Sequence, residues 1–221
     1  MGAEEDTRRL AGESLAEGSA TAWFDRLYAE AERGTAEVPW DIPEASVLLQ
    51  EWFAGAGSSG AGRSALVVGC GLGRDAEFIA ARGFTTTAFD ISETAVRRAR
   101  ERHAGSPVDY LVADLLDPPA AWRHAFDLVV ESNNIQALPR ALRSRAIAST
   151  GTLVGPGGTL LVLAAATDDP SDDGPPWPLT RAEAESFATA GLTLESLDAL
   201  PAPSDPLSHR WRAVLRRPRP R

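Results

Sequence analysis

Apolar residues along this chain follow two different periods, and the change comes at about residue 64. Over residues 1–34 they recur at helical spacing, with Leu10, Trp23 and Leu27 in the apolar set, which predicts amphipathic helical structure. Beyond this region, short apolar runs alternate with amphipathic stretches. The runs predict five strands, at about 64–69, 84–90, 108–112, 126–131 and 159–165. Such alternation of strand and helix is typical of a parallel sheet with helices on both faces.

The C-terminal part of the chain breaks this alternation. Thr180 and Glu183 have the spacing of a capping box, which predicts the start of a helix. Two apolar runs follow, at about 192–199 and 209–216, and no helical pattern separates them. We therefore predict an antiparallel pair at the sheet edge. The expected fold is α/β, a doubly wound, mostly parallel, seven-stranded Rossmann-like sheet with an antiparallel C-terminal strand pair and N-terminal helices.

Composition narrows the possible partners. The formal charge of −9 argues against general nucleic-acid binding, which requires a basic surface. A single cysteine, Cys70, excludes an intramolecular disulfide and an all-cysteine metal site, and we expect no bound metal. No apolar run approaches the ~18 residues of a membrane span, and the acidic start does not resemble a signal peptide. We expect a cytoplasmic protein without membrane contacts, either a monomer or a homodimer.

A glycine-rich turn directly follows the first predicted strand. Gly69, Gly71 and Gly73 are spaced two apart, and a helical pattern begins immediately after them. A strand that leads into a glycine turn and then a helix is how α/β proteins hold a nucleotide-like cofactor, because glycine lets the backbone approach the ligand. Dinucleotide folds prefer G-x-G-x-x-G, whereas Arg74 stands where the third glycine of that motif would fall.

Acidic residues end the next three strands. Asp90 closes the second strand, 21 residues after Gly69, at the distance where a carboxylate reaches a ribose diol. Asp114 follows the third strand, and Glu131 closes the fourth. A lone carboxylate at such a place is often a helix cap. Three of them beside a glycine turn, all at one edge of the sheet, instead indicate a binding site.

The ordered segments LVVGCGLG, TTTAFDIS, YLVADLL, FDLVVESN and LVGPGGTLLV resemble the motif series of class I S-adenosylmethionine-dependent methyltransferases, over about residues 64–165. The resemblance implies a domain in three parts: a helical cap (1–54), a cofactor-binding core (64–165), and a C-terminal loop, helix and strand pair (166–221). It also implies S-adenosylmethionine as the cofactor and S-adenosylhomocysteine as the product.

The resemblance assigns roles to individual positions. The turn residues Gly69, Cys70, Gly71 and Gly73 would meet the methionine part of the cofactor. Asp90, followed by Ile91, would bind the ribose. Asp114 would contact the adenine amine, with Leu115 beside the ring. The family often has an acid two residues before the first glycine, where this chain has Val67. Asp75, or a water, is the candidate to contact the cofactor's amino group in its place.

A narrower resemblance, to the thiopurine methyltransferase-like branch, extends to the flanks. It rests on Pro39-Trp40-Asp41, on Gln136-Ala137-Leu138-Pro139 with Arg143 after it, and on the segment 174–179. That branch methylates small molecules, often at sulfur, and includes halide and thiol methyltransferases. Trp40 would offer an aromatic face to the cationic cofactor, and a core role for it is the alternative.

The acceptor side of the site is expected after the fourth strand. Glu131 is the candidate base for a hydroxyl or amine acceptor, with a cofactor-binding or loop-organising role as the alternative. Asn133, Asn134 and Gln136 would orient the substrate, unless they only cap the loop. The remaining candidates for substrate contact are aromatic, namely Trp23, Tyr28 and Trp177.

Two other classes of function remain open at this point. A nicotinamide-dependent oxidoreductase would share the fold, but it predicts the G-x-G-x-x-G spacing, which is missing, and it does not explain Asp114. A non-catalytic cofactor-binding protein would share the site, because a fold does not guarantee an activity. Sulfur, oxygen, nitrogen and a halide all remain possible as the methyl acceptor.

Overall fold

The computed structural model describes residues 2–56, 59–171, 173–202 and 205–220. Its helices are α1 (Ala3–Ala16), α2 (Ala22–Glu32), α3 (Val47–Ala56), α4 (Arg74–Ala80), α5 (Glu93–Arg102), α6 (Arg140–Leu153) and α7 (Arg181–Glu185). Its strands are β1 (Ser64–Val68), β2 (Thr85–Asp90), β3 (Asp109–Val112), β4 (Phe126–Ser132), β5 (Val154–Ala165), β6 (Thr193–Ala202) and β7 (Asp205–Arg216).

The strands form one seven-stranded sheet in the order β3-β2-β1-β4-β5-β7-β6. Strands β1 to β5 are parallel, and β7 pairs antiparallel with both β5 and β6. This confirms the predicted fold class. The central strand β1 is apolar on both faces because helices cover both: Leu66 and Val68 pack into one core cluster, Ala65 and Val67 into the other.

The register brings the predicted motifs to one edge. Val68, the last residue of β1, lies opposite Phe89 on β2 and Glu131 on β4. Because β2 and β4 flank β1 on opposite sides, the chain reverses its strand order there, and a crevice opens beyond the carboxyl ends. The glycine turn therefore starts at the point where such folds bind ligands.

The predicted N-terminal helical region consists of two helices, because Gly18 adopts φ +81° after α1 and the Ser19 hydroxyl accepts the Ala22 N–H at the start of α2. The limits predicted for three strands need correction. The fifth strand begins at Val154 and not at about residue 159, so it includes the segment Gly155–Gly158. The last two strands extend beyond the predicted limits, to Ala202 and from Asp205, since they pair with each other as a long hairpin.

Helices α1 and α2 cover the glycine turn. Leu10, Trp23, Leu27 and Tyr28 pack in one apolar cluster with Leu72, which belongs to the turn itself. A second contact fastens α2 to the start of α5. There the Asp25 carboxylate accepts hydrogen bonds from the Ser92 hydroxyl (2.7 Å) and the Thr94 N–H (3.0 Å). Both contacts place the aromatic side chains of α2 over the carboxyl edge of the sheet.

In the described ranges, no helix has both the length and the apolar character needed to cross a membrane. The same ranges contain no group of three or more His, Cys, Asp or Glu side chains placed to hold a metal ion.

Candidate functional site

A cavity of about 410 Å³ lies between the carboxyl edge of the sheet and the helical cap. This volume falls within the range of about 300–1,000 Å³ that is typical of small-molecule sites. Most of the residues predicted from the sequence line it, namely Trp23, Tyr28, Trp40, Gly69, Cys70, Gly71, Asp75, Asp90, Ile91, Asp114, Leu115, Asn133, Asn134 and Gln136. Three predicted residues, Gly73, Glu131 and Trp177, lie outside its lining.

The glycine turn requires glycine for both conformation and space. Gly69 and Gly71 have φ values of +55° and +53°, which side chains rarely adopt. A Cβ at Gly69 would lie 1.8 Å from the Asn134 side-chain oxygen, and one at Gly71 would lie 2.8 Å from the Tyr28 hydroxyl. Gly73 (φ +92°) is the N-cap of α4 and does not line the cavity, and a Cβ there would meet the Tyr110 hydroxyl at 2.3 Å.

Asp90 connects the turn to the end of β2. Its buried carboxylate accepts the Gly71 N–H (2.9 Å) with one oxygen and the Ser92 N–H (3.0 Å) with the other. Burial raises the pKa of this carboxyl above its ordinary value, while the backbone hydrogen bonds oppose the shift. Each carboxylate oxygen can accept more than one hydrogen bond. Each oxygen of Asp90, beside Ile91 in the cavity wall, can therefore accept one further hydrogen bond. Two neighbouring hydroxyl groups of a ligand would need such a pair of acceptors.

An apolar slot flanks Asp90 on the β3 side. Phe89, Ala113, Leu115 and Leu116 line it. Asp114 stands exposed at its mouth and accepts the Leu116 N–H with one oxygen (2.8 Å). A flat ring that enters the slot would be covered by apolar side chains and would meet the Asp114 carboxylate at its edge.

Opposite charges stand side by side where α4 begins. The buried Asp75 carboxylate accepts the Ser46 N–H (2.8 Å) and lies 3.8 Å from the Arg74 Nε. Burial raises the pKa of Asp75. Both side chains line the cavity, although the sequence drew attention to Arg74 only as a missing glycine. The pair matches the two charged groups of an amino acid.

Aromatic rings form the roof of the cavity. The Trp40 indole N–H donates to the Tyr28 hydroxyl (2.6 Å), and the two rings meet edge to face. Trp23 also packs edge to face against Trp40, and Phe24, which was not predicted, completes the roof. Burial and the charge of Asp90 raise the pKa of Tyr28, so its hydroxyl keeps its proton.

Glu131 lies behind the cavity wall. Its fully buried carboxylate accepts the Asn134 N–H (2.6 Å) and the Ile135 N–H (2.9 Å) through one oxygen. Among the described residues the other oxygen has no hydrogen-bond partner. This position contradicts the expectation of a base or cofactor ligand, because neither role is possible without access to the cavity. It agrees with the alternative, a carboxylate that organises the loop after β4.

Replacing Glu131 by glutamine should change how stability depends on pH. Burial raises the pKa of this carboxyl from an ordinary 4.5 to about 7. Between these values the folded state retains a proton that the unfolded state has released, so the free energy of unfolding falls as pH rises. Glutamine does not titrate, so this loss is absent from Glu131→Gln. We expect the free energy of unfolding of the variant to rise relative to that of wild type by up to ~3 kcal/mol between pH 4.5 and 7.

Urea unfolding at a series of pH values measures that difference. The exposed Glu195→Gln variant is the control and should run parallel to wild type over the same range. A constant difference between Glu131→Gln and wild type would mean that the buried carboxyl titrates normally.

The polar residues after β4 hold the backbone as well as facing the cavity. The Asn134 amide donates to the Val68 carbonyl (2.7 Å), and the Gln136 side-chain oxygen accepts the Ala165 N–H (2.6 Å). Asn133 adopts a left-handed conformation (φ +66°), and its side-chain oxygen accepts a hydrogen bond from the guanidinium of Arg210. Of the three, Asn133 is bonded to another side chain of the cavity wall instead of to the backbone.

Trp177 supports the wall from outside. Its backbone N–H donates to the Gln136 carbonyl (2.8 Å), and its backbone carbonyl accepts from the buried Arg143 guanidinium (2.6 Å). The same guanidinium also pairs with Glu183. The Trp177 side chain is buried and does not line the cavity, whereas Pro175 and Pro176 do. The structure therefore does not support the predicted substrate contact of Trp177, and Pro175 and Pro176 take that place in the wall.

Arg210 is the main lining residue that the sequence did not reveal. It reaches the cavity because β7 pairs with β5, which places Arg210 opposite Ala165. The sequence contains one hint, because Trp211, Ala213 and Leu215 alternate as buried residues and assign Arg210 to the other face of β7. The long-range pairing that brings that face to the cavity is not visible in the sequence.

Residues 65–158 match the protein family described as a methyltransferase domain. A ubiquinone biosynthesis O-methyltransferase of Thiobacillus denitrificans is 36% identical over 100 residues, which cover 44% of this chain and 42% of that protein. Thiocyanate methyltransferase 1 of Brassica oleracea is 31% identical over 141 residues, covering 63% of this chain and 61% of that protein. The chain thus spans less than half the length of the first of these relatives.

Among solved structures, the fold is similar to that of a Burkholderia thailandensis 1,6-didemethyltoxoflavin-N1-methyltransferase, which holds 1,6-didemethyltoxoflavin and S-adenosylhomocysteine. The TM-score is 0.63 at 18% identity, over 97% of this chain and 88% of that one. At this level of identity the similarity concerns the fold.

Proposed function

We propose that this chain transfers a methyl group from S-adenosylmethionine to a small-molecule nucleophile, because residues 65–158 match a methyltransferase-domain family and the fold is similar to that of such an enzyme. S-adenosylhomocysteine would be the second product. The observation that carries the proposal is the joining of the Gly69–Gly71 turn and Asp90 in one cavity that continues to the loop after β4.

The residues present fit this cofactor. The space over the turn is one that a Cβ would fill, the Asp90 carboxylate retains acceptor capacity for two hydroxyls, and the apolar slot ends at Asp114. Asp75 and Arg74 offer one charge each, suited to an ammonium and a carboxylate, in place of the acid that Val67 does not supply. The Trp40 ring offers an aromatic face for a positive charge.

When bound, S-adenosylmethionine supplies a methyl group on a positively charged sulfur. The protein's contribution is then to align the nucleophile with that methyl and to keep water away. The glycine turn would fix the cofactor end, Asn133 and the Pro175-Pro176 wall would bound the acceptor, and helices α1 and α2 would cover both. Because Glu131 is sealed behind the wall, the mechanism assigns it loop support and no proton transfer with the acceptor.

The thiopurine methyltransferase-like branch remains our proposal for the subfamily. The flanking residues quoted above and the 31% identity with a thiocyanate methyltransferase support it. The cytoplasmic location, the monomeric or homodimeric state and the three-part division of the domain stay predictions from the sequence, which does not select an acceptor atom.

Cofactor binding separates this proposal from an oxidoreductase on a related fold. We expect S-adenosylhomocysteine at 100 times its Kd to stabilise the protein by ~2.7 kcal/mol, measured as a rise in Tm, and NAD to leave Tm unchanged. Stabilisation by NAD alone would reject the proposal. Once S-adenosylhomocysteine binding is established, turnover of S-adenosylmethionine with a panel of thiols, phenols and amines distinguishes an enzyme from a non-catalytic binding protein.

A further inference from the structure

Arg210 is a cation in the cavity wall that forms no ion pair with any carboxylate the structure describes. Its guanidinium donates to the side-chain oxygen of Asn133, an uncharged acceptor. Among the side chains that the structure describes, no carboxylate oxygen lies within 4 Å of it. Arg74, the other arginine of the cavity, has Asp75 at 3.8 Å.

The surroundings of Arg210 oppose its charge. Burial, and then the charge of Arg74, lower the pKa of its guanidinium, and the charge of Glu131 offsets this only in part. A guanidinium nevertheless keeps its proton at any physiological pH, so the site must accommodate the cation. Burying a charge without an opposite charge is costly. An anion that enters the cavity would remove this cost.

The anion is best placed away from the reacting atom of the acceptor. In methyl transfer, a negative charge on the nucleophile is lost as the new bond forms. A cation held against that atom would stabilise the starting state more than the transition state and would slow the reaction. Arg210 thus serves catalysis only if it holds a negative group that keeps its charge throughout the reaction.

The position of Arg210 also separates it from the cofactor's own carboxylate. Arg74 follows the glycine turn directly and stands beside Asp75, where the amino-acid part of the cofactor is expected. Arg210 approaches from β7, and its hydrogen bond is to Asn133 in the loop after β4. This is the acceptor side of the cavity, and the planar guanidinium suits a carboxylate, which it can bind through two parallel hydrogen bonds.

We propose that Arg210, oriented by Asn133, binds a carboxylate that the methyl acceptor carries apart from its reacting atom. This inference rests on the proposed methyl transfer and names the substrate class for it, a small carboxylated thiol, phenol or amine. Arg210 is then a specificity-determining residue, and Asn133 is its positioning residue.

Binding to the protein loaded with S-adenosylhomocysteine tests the proposal by calorimetry. The probes are three matched pairs: mercaptoacetate, 4-hydroxybenzoate and 4-aminobenzoate, each beside its methyl ester. We expect the acid of at least one pair to bind roughly 10- to 100-fold more tightly than its ester, as a charged hydrogen-bonded pair would give. In Arg210→Gln this ratio should fall to about 1.

Arg212→Gln is the matched control, since Arg212 lies two residues further along β7, has the same charge and pairs outside the cavity with Asp198. It should keep the wild-type ratio. If Arg210→Gln does not fold, Arg210→Lys replaces it, because lysine keeps the charge but loses the planar fork, and the ratio should then fall without reaching 1.

The outcomes separate this inference from the function on which it rests. If wild type does not bind S-adenosylhomocysteine, the proposed function fails. If S-adenosylhomocysteine binds but acid and ester bind equally in every pair, or if Arg210→Gln keeps the preference, only the present inference is overturned. It is also overturned if Arg210→Gln mainly weakens S-adenosylhomocysteine itself, because Arg210 would then hold the cofactor's carboxylate.

Discussion

Replacing Asp90 by asparagine is expected to weaken S-adenosylhomocysteine binding by at least about 100-fold, because two hydrogen bonds from ribose hydroxyls to a carboxylate are worth roughly 1.5–3 kcal/mol each. Asparagine keeps the volume of the side chain but turns one acceptor into a donor. That donor must face either the Gly71 N–H or the Ser92 N–H, both of which now donate to Asp90. We therefore also expect a stability loss of about 1–3 kcal/mol.

The matched control is Asp127→Asn. Asp127 also accepts a backbone N–H, from Ser64 at 2.8 Å, but it does so at the amino-terminal end of the same sheet. Both variants should lose stability, and only Asp90→Asn should lose S-adenosylhomocysteine affinity, as measured by calorimetry at a temperature where both are folded. Wild-type affinity in Asp90→Asn would remove the ribose contact from the proposed site.

Gly69→Ala is expected to lower the free energy of unfolding by about 2–5 kcal/mol and to abolish cofactor binding. Alanine at φ +55° costs about 1–2 kcal/mol, and overpacking adds about 1–3 kcal/mol. The overpacking arises because the new Cβ would lie 1.8 Å from the Asn134 side chain, which is held by its hydrogen bond to the Val68 carbonyl. Displacing Asn134 would move the loop that closes the cavity.

Gly34→Ala separates the two contributions. Gly34 has φ +72°, and nothing lies within 4 Å of the position of its Cβ, so this variant has backbone strain without a steric clash. It should lose only about 1–2 kcal/mol in urea unfolding and should bind S-adenosylhomocysteine normally. Equal destabilisation of the two variants would show that the contact between the turn and Asn134 is not tight.

The cofactor side could be predicted from the sequence because its motifs are local. A strand, a glycine turn and an acid at the end of the next strand lie in a fixed order, and parallel pairing brings them to one edge. Asp75 and Asp90 therefore lie where the pattern indicates. The sequence does not distinguish a turn glycine that leaves room for a ligand from one that leaves room for packing, and at Gly73 it is Tyr110 that occupies the space a Cβ would fill.

The acceptor side could not be predicted in the same way, because contacts distant in sequence decide it. Arg210 reaches the cavity through the pairing of β7 with β5, and Trp177 leaves it because Arg143 and Gln136 hold its backbone. Glu131 has the position of an acid at a strand end, but its carboxylate turns to the N–H groups three and four residues ahead. The orientation of the Glu131 side chain decides what the carboxylate contacts, and the spacing of residues in the sequence does not encode that orientation.

The backbone attachment of the Pro175-Pro176 wall has a consequence for how acceptor preference changes. Gln136 and Arg143 hold this segment through the N–H and the carbonyl of Trp177, and these groups are present whatever side chains the wall carries. Pro175 and Pro176 line the cavity directly before this anchored residue. Under the proposed function, replacing Arg143 would therefore release the whole wall at once and alter acceptor preference, while the glycine turn and Asp90 keep their contacts.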